Sequence, residues 1–159
     1  MKTVLAPIDF SKVSESVVRE AASLARALDG RVVLLAVVQP PMVFSEYAGL
    51  ADISAIAAAA ESNATRGLEK FAEQLKNQFI KTSIVQVTGV PVGHIIEQAV
   101  RNEADYIVMG SHGHTAFYDL LVGSTTHGVL MRSKCPVVIV PAEKTEPERP
   151  KKSLRTMKV

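Results

Sequence analysis

The stretch Arg31-Val-Val-Leu-Leu-Ala-Val-Val38 is apolar at seven consecutive positions, so both of its faces avoid water. A strand covered on one side alternates apolar and polar residues. An unbroken run of β-branched and aliphatic residues instead suits a central strand of a parallel sheet with helices on both faces. Pro40-Pro41 ends it, since proline has no N–H to give a ladder. On the N-terminal side, Thr3 to Ile8 is a second short apolar run ending at Asp9, where Ser11 or Ser14 can cap a first helix. In that helix Val17, Ala21, Leu24, Ala25 and Leu28 recur at helical spacing. Asp29-Gly30 supplies the stop, with Gly30 expected in the left-handed conformation.

On the C-terminal side, residues 39 to 51 show no period. From Asp52 an Ala-rich segment leads into Leu68, Phe71, Ala72, Leu75 and Phe79, which share one helical face. Thr82 to Thr88 reads as a third strand. Val92, Ile95, Ile96, Ala99 and Val100 form the stripe of a third helix, and Tyr106 to Met109 a fourth strand. Ser124 can cap a helix running to about Arg132, and Pro136 to Val140 forms a fifth strand closed by Pro141. Five strands joined by helical crossovers predict one α/β domain, an open doubly wound parallel sheet with helices on both faces. Ligands bind such sheets beyond the carboxyl ends of the strands, where strand order reverses. With order 3-2-1-4-5 that point lies between strands one and four, bringing Pro7 and Asp9 beside the loop that begins at Gly110.

Composition narrows the class. With 5% aromatic residues and no Trp, the core must be built from Val, Ile, Leu and Ala. No apolar run approaches the roughly 20 residues of a membrane span, and no signal-like segment comes after Lys2, so a cytoplasmic protein is expected. Cys135 stands alone and is read as a buried or inert thiol. Of 18 basic and 16 acidic groups, residues 142 to 159 hold six and three, leaving 12 and 13 in the body. The basic excess therefore belongs to a tail containing Pro147 and Pro150, expected to be a flexible extension over 143–159 beyond a domain over 1–142. Neither nucleic acid nor membrane is the expected partner.

The chemistry concentrates in Gly110-Ser-His-Gly113-His-Thr-Ala-Phe-Tyr-Asp-Leu-Leu-Val-Gly123-Ser124-Thr125-Thr126. The segment starts where a buried strand ends and finishes at a helix N-terminus. Gly110, Gly113 and Gly123 would accept positive φ and bring N–H groups near an anion. The start of the adjoining helix favours phosphate through its dipole, with Ser124 and Thr125 adding hydroxyls. A Walker loop is excluded, because Val129 and Leu130 come after Gly128 where Lys and Ser/Thr are required, and no G-x-G-x-x-G occurs. His112, His114 and His127 lack the spacing of a zinc ligand set.

The pattern G-x2-G-x9-G-[ST], met by Gly110, Gly113, Gly123 and Ser124, resembles the nucleotide-binding signature of the universal stress protein family. Val4 to Ser11 (VLAPIDFS), Gly89-Val-Pro91, Ala104 to Gly110 and Cys135 to Pro141 resemble that family in order and spacing. The resemblance implies a Rossmann-like, five-stranded fold and the subgroup that binds ATP, with ADP or AMP as alternatives and Mg²⁺ carried by the nucleotide. By position, it implies that Asp9 bonds the adenosine, that Pro7 and Val37 line the adenine pocket, and that Met109 and Gly110 lie beside the ribose. Gly113, Gly123, Ser124 and Thr125 would hold the phosphates, with His112 and His114 in the same loop. It further implies a homodimer through the last strand, Val137, Val138, Ile139 and Val140.

A phosphoryl-transfer enzyme needs charge neutralisation and a group that positions the nucleophile. The loop holds no Lys or Arg, and Asp119 is its one carboxylate. A dimeric, nucleotide-dependent stress regulator acting on an unidentified protein is therefore expected. The alternatives are a slow ATPase or phosphotransferase, and an interaction module with no nucleotide. Asp9 has two readings, as ligand to adenosine and as a cap for the first helix.

Overall fold

Leu34 and Leu35 are neighbours in sequence and both are fully buried, one in each of two apolar layers. Successive strand residues point to opposite faces, so only a sheet covered on both sides can bury the pair, at about 1.5–3 kcal/mol for each such side chain. The computed structural model, which describes residues 1–40, 50–111 and 122–142, realises that arrangement. Its elements run β1 (Thr3–Pro7), α1 (Ser14–Ala27), β2 (Arg31–Val38), α2 (Leu50–Lys76), β3 (Lys81–Thr88), α3 (Pro91–Arg101), β4 (Tyr106–Gly110), α4 (Ser124–Leu130) and β5 (Val137–Val140). The five strands form one parallel sheet in the order β3-β2-β1-β4-β5, as expected.

Val4, Ala6, Val32, Leu34 and Ala36 pack with Ala21 of α1 and Leu68 of α2 on one face. Leu5, Val33, Leu35, Ile107 and Met109 pack with Ile95 of α3 and Val129 of α4 on the other. Among the described residues no helix is long and apolar enough to cross a membrane. Cys135 is half-buried against the α3/α4 layer, its sulfur 3.6 Å from the Ser133 hydroxyl oxygen.

The helix ends differ from the expected ones in an informative way. Gly30 does not take the left-handed conformation; Asp29 does, at φ 49°, and Phe79 (60°) and Glu103 (50°) play the same part after α2 and α3. Each closes the same kind of turn. Gly30 N–H donates to Ala25 O at 2.8 Å, Ile80 to Leu75 at 3.1 Å and Ala104 to Ala99 at 2.8 Å, the outer bond of a Schellman cap. Gly30 is needed for space, because a Cβ there would lie 2.6 Å from the carbonyl oxygen of Lys2.

Two apolar residues leave their expected faces. Phe79 lies beyond the end of α2 and is 98% exposed, and Val100, in the last turn of α3, is 63% exposed. Helical period carries a stripe only as far as the neighbouring layer extends. At the opposite end of the sheet from the glycine segment, Lys2 Nζ lies 2.7 Å from Asp105 Oδ1, and Thr3 N–H donates to Asp105 Oδ2 at 2.8 Å. The hydrogen bond from Lys2, followed by that from Thr3, holds the Asp105 carboxyl below the usual carboxylate range, and the same contact raises Lys2.

Candidate functional site

The two ladders of β1 have different lengths. Pairing with β2 runs from Thr3–Arg31 to Pro7–Leu35, whereas pairing with β4 covers Val4–Tyr106 and Leu5–Ile107. Pro7 and Met109 thus lie past the last paired residues of β1 and β4, at the carboxyl ends where strand order reverses. Pro7 shares a face with Leu5 by alternation. Val37 and Met109 pack in the α3/α4 layer with Leu5, so all three expected apolar residues lie on one face of the adjacent strands β2, β1 and β4.

Beyond β1 the chain turns sharply. Ile8 N–H still bonds Leu35 O at 2.7 Å, and Asp9 then folds its carboxylate over the turn. Asp9 Oδ1 accepts from Ser11 N–H at 3.0 Å and from the Ser14 hydroxyl at 3.1 Å. These bonds brace the turn that leads into α1, and neither comes from a backbone N–H of the helix, so Asp9 does not cap α1 as its second reading expected. The N-cap of α1 is Val13, without a side-chain bond of its own, so neither Ser11 nor Ser14 caps the helix as expected. The hydroxyl oxygen of Ser11 is buried and has no hydrogen-bond partner among the described residues.

Two bonds bind the start of α4 to the end of β4, and a third joins that end to β5. Gly123 N–H donates to Ser111 O at 2.7 Å, the Thr126 hydroxyl to Gly110 O at 2.8 Å, and Ser111 N–H to Val140 O at 2.8 Å. Gly123, not Ser124, is the N-cap of α4, with φ −67° and ψ 160°. Gly89 is the described glycine with positive φ, so neither Gly110 nor Gly123 uses the left-handed freedom expected of it. The Gly123 N–H is spent on Ser111. The first-turn N–H groups of Ser124, Thr125 and Thr126 precede the first intrahelical bond, which runs from His127 N–H to Gly123 O at 2.9 Å. Ser124 is exposed and Thr125 half-buried.

His112, Gly113 and His114 lie outside the described residues, as does Asp119. Among the described residues no group of three His, Cys, Asp or Glu side chains gathers to hold a metal ion. Sequence reasoning passed over Thr126 and Ser111, which do the tying. A Thr in the first turn after Gly-Ser-Thr was a visible signal for the former; nothing in the sequence pairs Ser111 with Gly123.

The universal stress protein family model matches residues 1–141. A universal stress protein of Methanocaldococcus jannaschii, MJ0531, is 30% identical over 91% of this chain and 85% of its own length. A second from that organism, MJ0577, is 28% identical over 87% of this chain and 94% of its own. The solved structure of MJ0577 superimposes with a TM-score of 0.81 over 91% of this chain and 98% of that one, at 26% identity. A universal stress protein solved in complex with cAMP gives 0.67 over 87% and 96%, also at 26% identity. The sheet order, with its switch point between β1 and β4, and the family match over nearly the whole described body agree: this chain belongs to the universal stress protein family.

Proposed function

We propose that this protein binds an adenine nucleotide in the crevice between β1 and β4 and acts as a dimeric, nucleotide-dependent regulator. The carrying observation is the placement of Pro7, Val37 and Met109 on one face, past the last β1–β4 pair and next to the turn at Asp9. A base laid on that face meets apolar side chains, while the turn offers polar groups to the sugar. The Ser11 hydroxyl fits this reading, because a buried hydroxyl without a partner needs one. A universal stress protein 26% identical to this chain takes a cyclic adenine nucleotide, which supports the ligand class.

ATP is the nucleotide proposed, with ADP or AMP as lesser forms. Gly110, Gly113, Gly123, Ser124 and Thr125 would hold its phosphates, with His112 and His114 beside them. Because Gly123 N–H is already bonded to Ser111, the donors proposed at the helix are the next N–H groups and the hydroxyls of Ser124 and Thr125. Mg²⁺ would arrive on the phosphates, as it usually keeps substrate oxygens and waters as ligands. Asp9, whose Oδ1 anchors the turn, is proposed to accept from the adenosine as well.

Dimerisation is proposed through Val137, Val138, Ile139 and Val140. β5 ends the sheet, so its outer backbone groups have no neighbouring strand among the described residues. Symmetric pairing with a second copy would remove that edge.

The test is to denature freshly purified protein and identify the released small molecules by chromatography and mass spectrometry. ATP near one equivalent per chain is expected. No nucleotide, combined with no rise in melting temperature on adding ATP and Mg²⁺, overturns the proposal, since a ligand at a hundredfold excess over Kd stabilises by about 2.7 kcal/mol. Gly123→Val should abolish binding in a folded protein, because φ −67° and ψ 160° suit any residue.

A further inference from the structure

Two residues that local preference disfavours meet each other. Phe10 holds φ 60°, a region that a bulky side chain rarely occupies. Gly67 lies inside α2, where glycine weakens a helix. A Cβ at position 67 would overlap Cε1 of Phe10, with Cδ1 2.9 Å and Cζ 3.1 Å away. One ring edge of Phe10, a residue 39% exposed, therefore rests against the backbone of α2, where a Cβ at position 67 would displace it.

The conformation of Phe10 also bears on Asp9, whose Oδ1 the Ser14 hydroxyl reaches at 3.1 Å as well. Phe10 is the middle residue of the turn in which Ser11 N–H donates back to Asp9 Oδ1 at 3.0 Å. A left-handed middle residue turns that N–H toward the carboxylate; an extended one would carry it away. A residue kept in a sparsely populated conformation must be held by its surroundings. Here the Asp9 bond holds it from one side and the Gly67 socket from the other.

We propose that the Phe10 ring, seated on Gly67, is a positioning device that sets the Asp9 carboxylate for adenosine, so that α2 controls the selectivity of the crevice. Phe10 and Gly67 do not touch the nucleotide; they act through Asp9. The inference rests on the adenine-nucleotide reading above.

A double-mutant cycle tests it, in the full chain, with ATP–Mg²⁺ and tripolyphosphate–Mg²⁺ as the two titrants in calorimetry. Gly67→Ala should improve α2 as a helix and yet push the ring out, weakening ATP about tenfold while changing tripolyphosphate less than twofold. Phe10→Gly accepts the left-handed turn and removes the ring. In that background Gly67→Ala should change ATP affinity less than twofold. Amide exchange of Ser11, read by NMR without nucleotide, should accelerate in Gly67→Ala and be insensitive to the same change in Phe10→Gly.

Equal losses of ATP affinity in both backgrounds, or equal losses for ATP and tripolyphosphate, would overturn the positioning role and leave the nucleotide reading intact. No effect of Gly67→Ala on ATP affinity or on Ser11 exchange would do the same. Failure of the unaltered protein to bind ATP would overturn the nucleotide reading and this inference together.

Discussion

The hydroxyl of Thr126 donates to the carbonyl oxygen of Gly110 across 2.8 Å, joining the first turn of α4 to the last residue of β4. With the bond from Gly123 N–H to Ser111 O, it ties the start of α4 to the end of β4. Placement of the Ser124 and Thr125 groups therefore depends on a residue that need not contact a ligand.

Thr126→Val keeps the shape of this buried side chain and removes its donor. The loss should be about 1–2 kcal/mol, for a hydrogen bond gone and a carbonyl left with one partner fewer. Urea unfolding measures it, and Thr126→Ser should recover most of the difference. Recovery by Ser without recovery by Val identifies the hydroxyl, not the methyl, as the stabilising group.

Position 30 and position 79 should respond in opposite directions. Gly30→Ala forces a Cβ against the Lys2 carbonyl, a backbone atom that cannot swing aside, and should cost about 1–3 kcal/mol. Phe79→Gly relieves a left-handed residue worth about 1–2 kcal/mol, offset by about 0.4–1 kcal/mol of extra freedom in the unfolded chain. With the ring 98% exposed, little packing is lost and the variant should be more stable by up to about 1 kcal/mol. Thermal melts of the two variants check both signs.

The Lys2–Asp105 pair predicts a pH window. Asp105 titrates below its unfolded value, so its contribution is complete above about pH 4 and is lost as pH falls through the folded value. Lys2 is raised, so its contribution is complete below about pH 10 and is lost as pH rises through the folded value. Asp105→Asn should lower the urea midpoint throughout that window, and the gap from the unaltered protein should close in acid. Added salt should narrow it, because the pair is exposed to solvent.

Much of this protein was determined by its sequence alone. The apolar run at 32–38 required a sheet covered on both faces, and alternation of strand and helix signals yielded five parallel strands with helical crossovers. The spaced glycines from 110 to 123 pointed to the family, because a turn-and-anion pattern is a local property of the chain. Tertiary structure alone decided what individual polar groups do. Asp9 can be read from sequence as ligand or as cap; the fold shows its Oδ1 bracing the turn through Ser11 and Ser14 while Val13 takes the N-cap position. Gly30 and Gly123 read as conformational necessities; in the fold, Gly30 is fitted to the Lys2 carbonyl and Gly123 carries an ordinary backbone. Hydrophobic burial is read from periodicity, which the sequence displays directly. Hydrogen-bond partners and forbidden volumes depend on which distant residues arrive at a point, and only the folded chain brings them there.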